Sequence, residues 1–460
     1  MKKIYLMVWV FAFSFSLSQD KVSPDVVKEE LEFVTETYIA VHPNLVDAEQ
    51  VAAFRAHAQK IMDEVTTELT KAEIAVQAQR IVTWLKSAHD SVSLGEDTEF
   101  LPVSFYWASD GLVVFPDRLS NLQFPPASEV VAIGDLDIET VEARMQELIS
   151  GNVYGARQGA ARVLPGKSVL EYLGVLEDGQ VNLKILTPDN REEMIEVRVG
   201  NKRGQTNWLD YLAVFPDAPK HFAWEIQEDE RVGIFRLRRC EYSESYENAV
   251  QDFFEAITEA DIKTIIIDLR DNGGGTTEVI DPFLRRLPLK QLHVEGGIQR
   301  ISETSMNQVS QFDPKLAASF TDIKNQIEPE GDMYKVNEPQ LLEISPEILI
   351  QPVFEGSSYI LVNGGTASAA IDFATIYSDN KLATIVGEPV GDSPTSAGNV
   401  VYFKTPELNI AFQVSSALYT RPDPNRDHAE TLEPDIYLPL TVQDIQQKHD
   451  PVKEWLEGLE

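Results

Sequence analysis

A single cysteine, Cys240, stands among 460 residues. No intramolecular disulfide can form, and a Cys-rich zinc site or an iron–sulfur cluster lacks its ligands. Histidine is scarce too: there are seven, and none stands in a His-x-x-x-His or His-Glu-x-x-His spacing. That leaves an all-His/carboxylate site as the one open metal option, and neither metal nor cofactor is expected. Positive charge is short, with 39 Lys and Arg against 74 Asp and Glu and a formal charge of −35. Such a surface repels polyanions and has few cations to displace their counterions, so nucleic acid and anionic membranes are excluded as expected partners. No stretch reaches 18 consecutive apolar residues, so no membrane span is expected.

The chain begins with Lys2 and Lys3, an apolar run from Ile4 to Leu17, and small residues Ser16 and Ser18 before Gln19. This order reads as a secretory signal peptide over 1–18, cleaved to leave a soluble, exported protein, periplasmic or extracellular. No Cys follows it to carry a lipid anchor. Residues 19–94 read as a helical domain: Ser23 and Pro24 open a helix, and Val27, Leu31, Val34, Tyr38 and Val41 recur at helical steps. Residues 95–204 change character, with short apolar runs between Gly, Pro and Asp turn signals and one helix near 138–149, a β-rich module. Residues 205–442 alternate strands and helices. Continuous apolar strands such as "KTIIIDLR" predict a mostly parallel sheet flanked by helices. Short closing helices are expected over 443–460.

Two loops sit at the carboxyl ends of predicted strands, where ligands gather in α/β sheets. "IDLRDNGGG" (267–275) lets the backbone approach a ligand. The plain alternative is a tight strand-to-helix turn, and the loop lacks the Lys-Ser/Thr of a phosphate loop. In "LVNGGTASAAIDFA" (361–374), Ser368 stands where a helix starts. It is either a nucleophile beside outward N–H groups or, with Thr366, a helix cap. Among the histidines, His89 in "LKSAHDSVSL" lies at a junction between predicted domains.

Five segments in order, "VVAIGDLDI", "IIIDLRDNGGG", "LVNGGTASAAIDFA", "ATIVGEPVGDSPTSAG" and "LEPDIYLP", resemble the C-terminal processing (tail-specific) peptidases, the S41 serine peptidases, over about 26–440. The resemblance implies a ClpP/crotonase-like α/β core and a PDZ-like identity for 95–204. It implies Ser368 as acyl-transfer nucleophile, with Gly274 and Ala369 N–H groups as oxyanion donors. Many relatives use a Lys about 25 residues after the nucleophile, but here Asp392 and Ser393 stand there. The chain is nearer the Ser–His branch. His89 then matches the base, with Ser87 and Asp90 replacing the usual flanks, and Glu430, ahead of Asp427 and Glu433, matches the third, acidic member. The implied function is a serine endopeptidase acting on exported, unfolded or tail-presented polypeptides. The alternative is a non-catalytic peptide- or ligand-binding protein on the same scaffold. Oligomeric state is left open, a homo-oligomer included.

Overall fold

The computed structural model describes residues 21–94, 99–117, 121–201, 221–227, 231–426 and 429–458. The signal-peptide reading of 1–18 and the candidate Asp427 therefore lie outside the described residues. Helices Pro24–Val41, Ala48–Glu64 and Lys71–Val82 form the first layer. Pro24 takes the first helical position, where its missing N–H costs nothing. Thr70 and Glu73 close a reciprocal capping box on the third helix. These helices do not pack on themselves alone. Leu31, Tyr38 and Phe54 share one apolar core with Phe403, Phe412 and Val414, more than 300 residues away in sequence.

Among the described residues, the β-rich segment forms a six-stranded antiparallel sheet. Its ordered strands are Val103–Trp107, Leu112–Pro116, Ser128–Ile133, Gln180–Leu186 and Glu192–Arg198, with Leu136–Asp137 beside the third. Helices Ile138–Gln146, Val153–Val163 and Lys167–Leu173 cover it.

The next sheet carries the two glycine loops. Its strand order is Ile436–Tyr437, Thr384–Gly387, Ser357–Val362, Thr264–Asp268, Val232–Leu237 and Phe222–Gln227. Helices Glu244–Glu259 and Ala369–Asp379 bury Phe253, Phe254 and Phe373 on one face. On the other face, Val452 and Trp455 of the closing helix Pro451–Glu457 pack against Leu361 and Tyr359.

The expectation of a mostly parallel, ClpP/crotonase-like core is corrected. Among the named strands of the described residues, parallel pairing is confined to four strand pairs within this one mixed sheet. Every other named strand pairing is antiparallel, so the described sheets are predominantly antiparallel. The cause lies in the joints. A parallel crossover needs a dozen or more residues, and the 405–410 joint between Ser396–Lys404 and Ala411–Thr420 permits only a hairpin. Phe222–Gln227 and Val232–Leu237 likewise stand too close in sequence for a crossover and pair antiparallel, while Ser396–Lys404 and Ala411–Thr420 form the hairpin of a further sheet. The hairpin belongs to a five-stranded antiparallel sheet with Ser91–Val92, Gly296–Arg300 and Met333–Asn337.

Candidate active site

Thr264–Asp268 and Ser357–Val362 are neighbours in parallel register, with Asp268 beside Leu361. Their following loops therefore leave the sheet side by side. Asn363 Oδ1 accepts from Asp271 N–H at 2.9 Å, and its Nδ2 donates to Asp271 Oδ1 at 3.0 Å. Thr366 Oγ1 donates to Leu269 O, and Ala367 N–H donates to Asn272 O. Below them the buried Arg270 guanidinium grips Asp268 at 2.8 Å and both Asp450 oxygens at 3.0 Å. Such a pair holds together because each charge meets its partner out of water.

Ser368 precedes the first residue of helix Ala369–Asp379 and makes no side-chain cap. The capping alternative is thereby set aside, and Thr366 braces the loop instead. Ser368 has φ 52° and ψ −133°, a backbone state that side chains disfavour. Gly274 (φ 91°) lies hard against it: a Cβ there would sit 2.5 Å from Ser368 Cβ and 3.0 Å from Ala369 N. Only glycine permits that approach. Ala369 N–H, at the first helical position, has no intrahelical acceptor. Gly274 N–H, by contrast, donates to Asn272 Oδ1 at 2.9 Å.

His89 arrives from the far end of the sequence. Its Nε2 lies 3.1 Å from Ser368 Oγ. The turn 87–90 that carries it is anchored through Asp90, which is fully buried. Asp90 accepts from Ser87 Oγ at 2.5 Å, from Ser415 N–H and Oγ at 2.8 Å each, and from His42 Nε2 at 3.1 Å. Asn44 N–H donates to His42 Nδ1, so that ring carries its proton on Nε2. Burial opposes the Asp90 charge, but His42, Ser87 and Ser415 together hold its carboxyl below the usual range. Gln413 Nε2 adds a bond to His89 O at 2.7 Å. The altered flanks Ser87 and Asp90 thus serve to fix the turn.

The structure brings Ser368, His89, Gly274 and Ala369 together, and does not bring Glu430 to the imidazole. The Glu430 side chain is 83% exposed and faces Lys86 Nζ at 3.7 Å. His89 Nδ1 is buried and has no hydrogen-bond partner. Glu430 and Glu433 line a cavity of about 950 Å³ together with Trp84, Lys86, Tyr154 and Asp392. Asp392, whose sequence position alone invited comparison with a lysine, is a buried carboxylate within reach of the His89 turn: Oδ2 accepts from Ala88 N–H at 3.3 Å. Burial pushes its carboxyl above the usual carboxylate range, against the lowering effect of the Ser393 N–H and of His89. Nothing in the local sequence signals that contact, which spans 304 residues. Burial pushes Glu295 up to about 7 and Asp372 well above the carboxylate range. Burial also drives the Cys240 thiol up to about 12, which leaves it protonated and unsuited to nucleophilic work. Among the described residues no group of His, Cys, Asp and Glu is arranged to hold a metal. No described helix is long and apolar enough to cross a membrane.

Residues 231–438 match the model of peptidase family S41. That segment, less than half of the chain, is similar to the family. Solved structures extend the likeness in fold to nearly the whole chain. An alanine mutant of CPAF matches with TM-score 0.69 at 14% identity, covering 94% of this chain and 96% of the other. Mature CPAF complexed with lactacystin matches with TM-score 0.65 at 15% identity, over 95% and 97%. A candidate peptidase from Parabacteroides merdae matches with TM-score 0.50 at 14% identity, over 95% and 96%. No curated protein matches the chain.

Proposed function

We propose that the protein is a serine endopeptidase acting on exported, unfolded or tail-presented polypeptides through Ser368 and His89. The S41-like segment and the CPAF-like fold support a peptidase. The observation that carries the Ser–His reading is the 3.1 Å contact between Ser368 Oγ and His89 Nε2, joining a strained helix-start serine to a histidine on an anchored turn. His89 Nε2 takes the Ser368 proton as Oγ bonds the scissile carbonyl carbon. Ala369 N–H meets the resulting oxyanion, and Gly274 N–H joins it by sharing or releasing its bond to Asn272. Collapse breaks the C–N bond, and His89 passes its proton to the departing amine. Water, deprotonated by His89, then attacks the acyl carbon, and Ser368 Oγ regains a proton. The 95–204 segment, read as PDZ-like, would take a peptide as an added strand.

Purified wild type should cleave an unfolded protein such as reduced casein, with products mapped by mass spectrometry. Ser368→Ala should lose about 10³-fold or more of that activity. Equal cleavage by the variant would sink the reading. The engaged Gly274 N–H favours a second reading, a peptide-binding protein that does not turn over. A fluorophosphonate probe separates the two, since stoichiometric labelling of Ser368 demands an activated hydroxyl.

A further inference from the structure

A base at Nε2 needs its other nitrogen protonated. His89 can accept the Ser368 proton only as the tautomer that carries hydrogen on Nδ1, and that atom is buried without an acceptor. An N–H held there unbonded forfeits its hydration, so the opposite tautomer, with Nε2–H pointing at Ser368, gains unless a nearby negative charge opposes it. The expected carboxylate, Glu430, is turned out to solvent beside Lys86.

We propose that Asp392 is the positioning residue of this site, its carboxylate orienting the His89 imidazole and favouring the proton on Nδ1. The inference rests on the Ser368–His89 reading and replaces the role the sequence assigned to Glu430. Asp392 is buried. Its Oδ1 is held by Ser393 N–H at 2.8 Å, while Oδ2 has only the long bond from Ala88 N–H, one residue before His89. Oδ2 therefore keeps accepting capacity on the side of the His89 turn. The charged groups around it are His89 and Asp90 from that turn and Asp372 from helix Ala369–Asp379. Of these, Asp372 also bears a proton, since burial pushes its carboxyl well above the usual range, but it stands on helix Ala369–Asp379 and not on the turn that Oδ2 contacts. During acylation the imidazole gains a positive charge, and a carboxylate at this place stabilises it without itself taking the proton. The position that holds a basic side chain in Ser–Lys relatives would thus hold, here, the acid that serves a histidine.

The test uses the full chain. In ¹⁵N-histidine spectra of wild type, the His89 resonance, identified by its loss in His89→Gln, should report the Nδ1–H tautomer. Asp392→Asn should move it toward Nε2–H and lower kcat about 10²-fold with KM within about threefold, a split expected when transition-state stabilisation alone is lost. Asp392→Glu should recover part of kcat. An Nε2–H tautomer in wild type overturns the proposal, and this measurement needs no variant at position 392 to fold. So does a kcat for Asp392→Asn within threefold of wild type while Ser368→Ala is inactive; the peptidase reading then survives. A loss of kcat in Glu430→Gln with none in Asp392→Asn returns the role to the rim and also overturns it. Unchanged cleavage by Ser368→Ala removes the peptidase reading and this proposal with it.

Discussion

Ser368 adopts φ 52° and ψ −133° in the interior of a tightly bonded junction. An L-residue in that region carries about 1–3 kcal/mol of strain, which glycine relieves. The surroundings enforce it: Ala367 N–H is tied to Asn272 O before the residue, and Ile371 N–H to Ser368 O after it. The chain thus spends stability to aim one hydroxyl away from the cap position and toward His89. Two inactive variants should therefore differ in stability. Ser368→Ala keeps the strain and should melt near wild type, whereas Ser368→Gly should gain about 1 kcal/mol over the alanine variant. Urea unfolding of the pair measures it, and equal midpoints would show that the junction is relaxed.

Elements set the electrostatics of the cleft. Strand Thr384–Gly387 ends by delivering Glu388 beneath the two loops, where burial, aided by Asp271, pushes its carboxyl up to about 7. In the unfolded chain a glutamate titrates near ~4.3. Between those values the folded state binds more protons than the unfolded one, so this group's contribution to stability falls as pH rises from about 4 to about 7. Glu388→Gln removes that dependence. The variant should exceed wild type in urea midpoint at pH 8 and differ little at pH 4.5; a constant offset at both would contradict the shift. Elements also decide what could be read from the sequence. The helix over Pro24–Val41, the strand Thr264–Asp268 and the helix after Ser368 are local in cause, written in apolar period and turn chemistry, and all were legible. The pairing of Ser368 with His89 was an expectation of the family resemblance alone, since nothing in the residues around His89 places it in the cleft. The antiparallel pairing of Ser396–Lys404 with Ala411–Thr420 was hidden because the direction of pairing is set by the short joint between them and not by the apolar pattern of either strand. The partner of Asp392 was hidden because a contact between residues 88 and 392 depends on how segments dock.

At the scale of the molecule, that docking runs through the start of helix Val153–Val163. Asn152 caps the helix by accepting from Gly155 N–H at 2.9 Å, and the same side chain donates to Val390 O at 2.8 Å and Glu430 O at 3.2 Å. Gly155 then lies so close to the loop before Asp392 that a Cβ would meet Gly391 O at 1.9 Å and Gly391 Cα at 3.0 Å. Backbone atoms cannot rotate aside. On helix propensity alone Gly155→Ala would stabilise by about 1 kcal/mol. The overlap reverses the sign, since overpacking against fixed atoms costs about 1–3 kcal/mol. The β-rich segment must then step back from residues 390–393, and the loop that places Asp392 near His89 loses its support. Gly155→Ala should accordingly lower kcat/KM at least about tenfold. Amide exchange should quicken in 390–393 and 430–432, while the paired strands at 264–268 and 357–362 keep their protection. Wild-type activity and unchanged exchange in this variant would mean that the two segments part freely, and that the site is built by the sheet and its loops alone.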